Sequence, residues 1–310
     1  MPPVFFPDSP SSPWPRPVVA LGNFDGVHRG HLKILECVRQ RAAEVRGTPV
    51  VLTFEPHPPR VLRPDRAPKL LMTFDQKCEA FDRAGIQGIA VVRFTREIAA
   101  WSPEAFVDAV LIDWLRAAEV WVGANFLFGK DRAGTFTLLK AIGEDRGFTT
   151  EKIEPVRYKD FVVSSTRVRH LIDEGRVDEA AALLGHHYVL DGVIVHGDHR
   201  GRTLGFPTAN LDTANELLPA YGIYATIAIV DGVQHAGVTS VGIRPTIGDG
   251  RLTIETFLLD TTMDLYDRPM RLAFVQRIRG EARFDGLDAL RAAIADDCAK
   301  ARALFAAMAL

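Results

Sequence analysis

The chain is poor in cysteine, with Cys37, Cys78 and Cys298 the only three among 310 residues. They lie far apart and form no Cys-x-x-Cys pair, so the sequence supports neither a zinc site nor a disulfide framework. Cys37 and Cys78 fall in helical patterns, as reduced core thiols do. Charge of one sign is also lacking: the net charge is −2, from 37 basic and 39 acidic residues. No Lys/Arg run is long enough to track a phosphate backbone, which argues against nucleic acid as a partner. No apolar run approaches the roughly 18 residues of a membrane span, so no membrane partner is expected. Residues 1–17 have prolines at 2, 3, 7, 10, 13, 15 and 17, but no basic start and no unbroken apolar stretch. This leader does not read as a signal peptide. It is expected to be extended and mobile, and the protein to be cytoplasmic.

What is present suffices for two packed cores: 310 residues, 47% of them hydrophobic. From 18 to 185 apolar runs alternate with helical patterns. Val18-Val19-Ala20-Leu21, Pro49 to Phe54, Ile89 to Phe94 and Val120-Trp121-Val122 read as strands. Helices are expected from Leu32 to Arg46, Phe74 to Ala84, Ser102 onward and Ser164 onward. That rhythm predicts a Rossmann-like parallel sheet with helices on both faces. From 186 to 310 the rhythm becomes strand after strand: 188–196, 224–230, 235–241, 252–260 and 270–276. Turn signals such as Asp231-Gly232 and Gly248-Asp249-Gly250 separate them, and a helix closes the chain from Leu287. This predicts a small antiparallel β-barrel domain with a C-terminal helix.

The densest motif is Gly22-Asn23-Phe24-Asp25-Gly26-Val27-His28-Arg29-Gly30-His31, between a strand and a helix. Histidines three apart share a face of the first helical turn. The helix start adds free N–H groups and the positive end of the dipole, so His28, His31 and the turn form a pocket for phosphate oxygens. Such a pocket stabilises charge building on an α-phosphate without attacking anything. Gly22 and Gly26 permit a tight turn, and Gly30 leaves room for a nucleotide. Asp25 is either part of this pocket or only the helix N-cap. Ligands of a parallel sheet bind at the carboxyl ends of strands, which draws in two further loops. In Phe54-Glu55-Pro56-His57-Pro58-Pro59, Phe54 can stack on a ring, unless the segment is a plain loop. In Gly123 to Lys130, Asn125 can orient a substrate and Phe128 can line an aromatic pocket, unless Phe126 and Phe128 are core. Ser164, Ser165 and Thr166 open a helix on which Arg169 can reach a β- or γ-phosphate; the alternative is an ordinary cap with solvated arginines.

In the second half, Gly201-Arg202-Thr203-Leu204-Gly205-Phe206-Pro207-Thr208-Ala209-Asn210 stands out. Glycines beside Arg202 suit close passage of phosphates. Thr208 and Asn210 share a face at strand spacing, and their oxygens are hard ligands suited to Mg2+ that also binds substrate phosphates. Strand alternation puts Glu255 on the Thr253/Phe257 face, opposite Ile254. It is either a base for an attacking hydroxyl or a solvated barrel residue.

Together these strings resemble the bacterial bifunctional riboflavin kinase/FMN adenylyltransferases, or FAD synthetases, from about Val18 to Arg302. The likeness also takes in Val241 to Thr246, Asp264-Leu265-Tyr266 and Asp297. It departs at Asn125, where Asp is frequent, at Leu127, where Arg is, and at Asp267, where Gly is. The resemblance implies an α/β nucleotidylyltransferase domain at 18–185, making FAD and pyrophosphate from FMN and ATP. It implies a riboflavin kinase domain at 186–310, making FMN from riboflavin and ATP. Carried over, His28, His31, Asn125 and Arg169 serve adenylyl transfer, with Gly22 to Gly26, Gly30 and Ser164 to Thr166 around the nucleotide. Phe54, Pro56, Pro58 and Phe128 meet the flavin. In the kinase, Gly201, Arg202 and Gly205 meet the nucleotide, Thr208 and Asn210 hold Mg2+, and Glu255 is the base.

Overall fold

The structure, a computed structural model, describes residues 1–6, 13–196, 205–243, 252–261 and 265–308. It divides into two compact units, Met1–Ser164 and Ser165–Leu310.

The first unit is built on strands β1 (Val4–Phe5), β2 (Pro17–Leu21), β3 (Thr48–Glu55), β4 (Gly88–Arg93), β5 (Glu119–Gly123) and β6 (Thr149–Ile153). Between them run helices α1 (Arg29–Glu44), α2 (Pro58–Leu62), α3 (Phe74–Arg83), α4 (Arg96–Ala99), α5 (Pro103–Phe106) and α6 (Phe136–Arg146). Helix α5 continues into a π-helical stretch, Val107–Trp114. All strand pairs of this sheet are parallel, in the order β1-β4-β3-β2-β5-β6. The apolar run of β2 serves both faces, as period-two alternation requires. Val18 and Ala20 pack with α1 and α3, while Val19 and Leu21 pack with the 107–114 stretch. The chain order reverses at β2, which has β3 on one side and β5 on the other. Crevices at such switch points are where open α/β sheets bind ligands. A hairpin, β7 (Arg157–Tyr158) and β8 (Phe161–Val162), ends this unit.

Two findings depart from expectation. The leader is not wholly loose: Val4 and Phe5 pair with Ile89 and Ala90, and Trp14 is buried against Phe5 and Gly88. An edge strand and one aromatic anchor hold its described residues. Strand β6 (Thr-Thr-Glu-Lys-Ile) carries no apolar alternation. It is an edge strand, mostly exposed, defined by backbone pairing with β5 and anchored by Ile153 on the core.

The second unit begins with α7 (Ser165–Asp173) and α8 (Val177–Leu184). Six strands follow: β9 (Tyr188–Val195), β10 (Thr208–Thr213), β11 (Gly222–Val230), β12 (Val233–Ile243), β13 (Leu252–Leu258) and β14 (Pro269–Arg279). They close into an antiparallel barrel in the order β10-β13-β12-β11-β14-β9. Inside, the hydroxyls of Thr226, Thr239 and Thr256 form a buried chain, at 2.7 and 2.9 Å. Outside, α9 (Leu287–Ala307) covers Ala225, Ile227, Val238 and Val275 with Cys298, Ala301 and Phe305. Buried Asp297 on α9 accepts a bidentate pair from Arg279 of β14. Asp267 takes φ +61, the left-handed turn for which glycine is expected and which Asp tolerates. All three cysteines are free, and burial pushes the Cys78 thiol up to about 11, so it packs as an apolar group.

Candidate active sites

In the first unit β2 delivers the chain into a compressed turn. Phe24, Gly26 and Val27 hold φ of +51, +86 and +36; only the glycine adopts such a value freely, and for a β-branched residue it is strained. The turn ends at His28, the N-cap of α1, whose Nδ1 accepts from the His31 N–H at 3.3 Å. That bond leaves Nε2 as the protonated nitrogen of a neutral His28, a donor. The His28 and His31 rings stack at 3.7 Å and 12°. Gly30 accommodates this: a Cβ there would lie 3.2 Å from the His28 ring, so the space it leaves is taken by an imidazole. His31 Nδ1 is buried with no hydrogen-bond partner among the described residues. Burial holds His31 well below the usual histidine value, with the charges of His28 and Lys77 adding to it.

Asp25 is not the helix cap, since His28 is. It is buried, and both its carboxylate oxygens accept from the Leu71 N–H, at 3.0 and 3.2 Å.

Beside this turn lies a cavity of about 820 Å3. Gly22 and Asn23 border it after β2, and Asn125 borders it after β5. The β2/β5 switch point thus brings residues 22 and 125 to one crevice. Phe54, Pro58 and Phe128 line it, whereas Pro56 is exposed and does not. Phe126 and Phe128 stack at 5.4 Å, and both line the cavity while packing on the core. Phe94 and Phe106, which belong to none of the motifs above, complete the aromatic wall against Phe54 at 5.8 and 6.0 Å. Phe94 carried a usable signal, for it directly follows the carboxyl end of β4. Arg63, Arg66 and Arg132 at the rim carried none. Leu127, 41% exposed, is also on the lining.

Ser164 is the last residue of the first unit. Ser165, Thr166 and Arg169 lie on the first turns of α7 in the second.

In the barrel, Gly201 and Arg202 lie outside the described residues, as do 244–246 and Asp264. Gly205 turns with φ +86 ahead of β10. Antiparallel pairing sets Thr208 across from Phe257 and Asn210 directly across from Glu255. The Thr208 hydroxyl donates to Glu255 Oε2 at 3.4 Å. The opposite face of β13, with Ile254, Thr256 and Leu258, is buried. Phe257 packs edge-on against Phe206 at 5.3 Å. Thr208, Asn210 and Glu255 therefore form one cluster of oxygen donors with an aromatic neighbour. Among the described residues no group of three His, Cys, Asp or Glu is placed for a metal. A hydroxyl and an amide oxygen beside a carboxylate nonetheless suit a hard cation that takes its other ligands from phosphates and water.

The FAD synthetase family matches residues 11–167 and the riboflavin kinase family residues 184–305. The bifunctional riboflavin kinase/FMN adenylyltransferase of Pseudomonas fluorescens is 40% identical over 290 residues, covering 93% of each chain. That of Escherichia coli K12 is 38% identical over 93% of this chain and 92% of its own. Among solved structures, a macrolide-efflux protein from Streptococcus pneumoniae superposes with a TM-score of 0.88 at 26% identity, covering 96% of this chain and 98% of that one. Among the described residues of this chain no helix is long and apolar enough to cross a membrane.

Proposed function

This chain belongs to the bifunctional riboflavin kinase/FMN adenylyltransferase family, and from that premise we propose which residues carry each of its two reactions. It phosphorylates riboflavin to FMN with ATP, then adenylylates FMN to FAD with release of pyrophosphate. Residues 18–185 are assigned to adenylyl transfer and 186–310 to the kinase, in the cytoplasm, where ATP is at hand.

In adenylyl transfer, a phosphate oxygen of FMN attacks the α-phosphorus of ATP, and pyrophosphate leaves. The His28 Nε2–H, His31 and the free N–H groups of α1 take up the charge that builds on the phosphates. Asn23 and Asn125, across the crevice, orient the reacting groups. The flavin ring enters the cavity beside Phe54, Pro58 and Phe128. Ser164, Ser165, Thr166 and Arg169 are assigned to the nucleotide phosphates on their sequence pattern alone. The observation that carries this reading is the aromatic cavity bordered at Gly22 and Asn23 by the phosphate turn.

In the kinase, Glu255 orients the riboflavin 5′-hydroxyl and accepts its proton as the γ-phosphoryl group is transferred. Thr208 and Asn210 are the residues that would hold Mg2+. When bound, the cation neutralises the phosphate oxygens. Asn210 facing Glu255 is the supporting observation.

A complementation experiment tests the division of labour. The His31→Ala chain should convert riboflavin to FMN and stop. The Glu255→Gln chain should use only supplied FMN. Mixing the two should restore FAD from riboflavin, because FMN diffuses between them. Loss of FMN formation in the His31→Ala chain, or of FAD formation from supplied FMN in the Glu255→Gln chain, would break the assignment.

A further inference from the structure

Lys77 has no part in the assignments above, yet it is only 2% exposed, and a lysine is almost never buried to that degree without compensation. It lies on α3 four residues before Phe81, so the two share a face. The Phe81 ring meets Phe24 edge-on at 5.6 Å, and Phe24 meets His31 at 5.1 Å. The Lys77 face of α3 is therefore the floor of the phosphate turn. Opposing charge comes from the two strand ends that frame the turn, Asp25 after β2 and Glu55 at the end of β3. Asp25 in turn grips the Leu71 N–H, two residues before the Thr73–Gln76 capping box that starts α3. The strained turn needs this anchoring, because unfavourable φ values at Phe24 and Val27 persist only where the surroundings over-determine them.

We propose that Lys77 is a positioning residue for adenylyl transfer: compensated by Asp25 and Glu55, its ammonium group locks the phosphate turn from below and keeps the stacked His28/His31 pair in register for a triphosphate. The same charge reaches the imidazoles. His31 is lowered by burial first, then by His28, then by Lys77. Lys77 is itself lowered by burial, against the pull of Asp25, Glu55 and Cys78. These are the groups that face the pair: His28 from the start of α1, Lys77 from α3, and behind it Asp25, Glu55 and Cys78. Removing the ammonium therefore raises the pH at which His31 protonates.

The inference rests on the assignment of His28 and His31, and its test separates the two. Lys77→Met and Lys77→Arg are made in the full chain, with amide protection of α1 and α3 as the control for folding of the first unit and FMN formation as the control for the second. An NMR titration follows the His31 ring without nucleotide. In Lys77→Met the His31 midpoint and the acid limb of FAD formation should both move to higher pH. Its kcat for FAD should fall at least about tenfold, within what a misplaced active-site group costs. KM for FMN should stay within about twofold, as for an interaction expressed in the transition state. Lys77→Arg, which keeps the charge, should restore the midpoint and most of kcat. A stationary midpoint or an unchanged kcat in Lys77→Met overturns the proposal. Should Lys77→Met unfold the first unit, Lys77→Arg decides: wild-type midpoint and kcat support the proposal, and a displaced midpoint overturns it. Wild-type FAD synthesis by His31→Ala would instead remove the underlying assignment and leave the titration standing.

Discussion

The two units meet phosphate chemistry on different scaffolds. In the first, the candidate site is made of turns: the residues after β2 and those after β5 meet at the sheet's switch point. Lys77 of this unit is buried, and the turn carries positive φ at Phe24 and Val27. In the second, the candidate residues stand on neighbouring strands, with Asn210 opposite Glu255 and Thr208 two residues along. A strand-borne cluster inherits its geometry from the hydrogen-bond ladder and needs no strain. A turn-borne site must be held in shape by what lies beneath it. The first should therefore respond to changes in buried charge, and the second mainly to loss of the ligating atom itself.

The sharpest test of that contrast is also the largest effect. His28→Ala removes the N-cap acceptor and, on the proposed assignment, a donor to phosphate. FAD formation from FMN should fall about 10²–10³-fold, the usual cost of one lost donor to developing charge. FMN formation should stay near wild type. Steady-state assays of the two half-reactions measure both, and an equal fall in each would mean that the contrast between units is false.

Next is Glu255→Gln, which keeps shape and one acceptor oxygen but removes the proposed base. Kinase turnover should drop about 10²-fold or more, the typical contribution of general base catalysis, with little change in flavin or ATP affinity. Near-normal FMN production would return Glu255 to the barrel wall as a structural residue.

Smaller still is the effect of Thr208→Ala or Asn210→Ala. Each should weaken use of Mg2+–ATP by about tenfold, the scale of losing one contact near a bound metal. A magnesium titration of the kinase reaction reads this, and raised magnesium should recover part of the loss. Unchanged curves would detach these residues from the cation.

The smallest effect concerns pH. His31 in the fold lies below the unfolded value of 6.5 because of burial, His28 and Lys77. The unfolded chain then binds the extra proton more readily. The stabilisation is complete above 6.5 and is lost as pH falls from there toward the folded value. Protection factors of the α1 amides, which remove the intrinsic pH dependence of exchange, should fall across that window, and His31→Phe should flatten the dependence. A flat wild-type profile would show that the turn is not under this electrostatic load.

Much of this was legible in the sequence because the relevant signals are local. Apolar runs and helical periods mark β2, β3, β4, β5, α1 and α3 within two or three residues. Alternation along β13 separates Ile254 and Thr256 from Glu255 and Phe257. The His-x-Gly-His string at a strand-to-helix junction specifies a helix start rich in donors. What escaped was the polar edge strand β6, which is formed by its neighbour's backbone, and the pinning of the leader by Trp14.

The sequence by itself determined the two-part architecture and the face on which Glu255 lies, because hydrophobic period acts over a few residues. Only the tertiary structure decided that residues 22 and 125 share a crevice, that Phe94 and Phe106 complete a wall with Phe54, and that His28 rather than Asp25 caps α1. It alone decided that Lys77 is buried, with the charges of Asp25 and Glu55 acting on it. Those outcomes depend on strand order and on close packing between segments distant in the chain, and no local pattern encodes them.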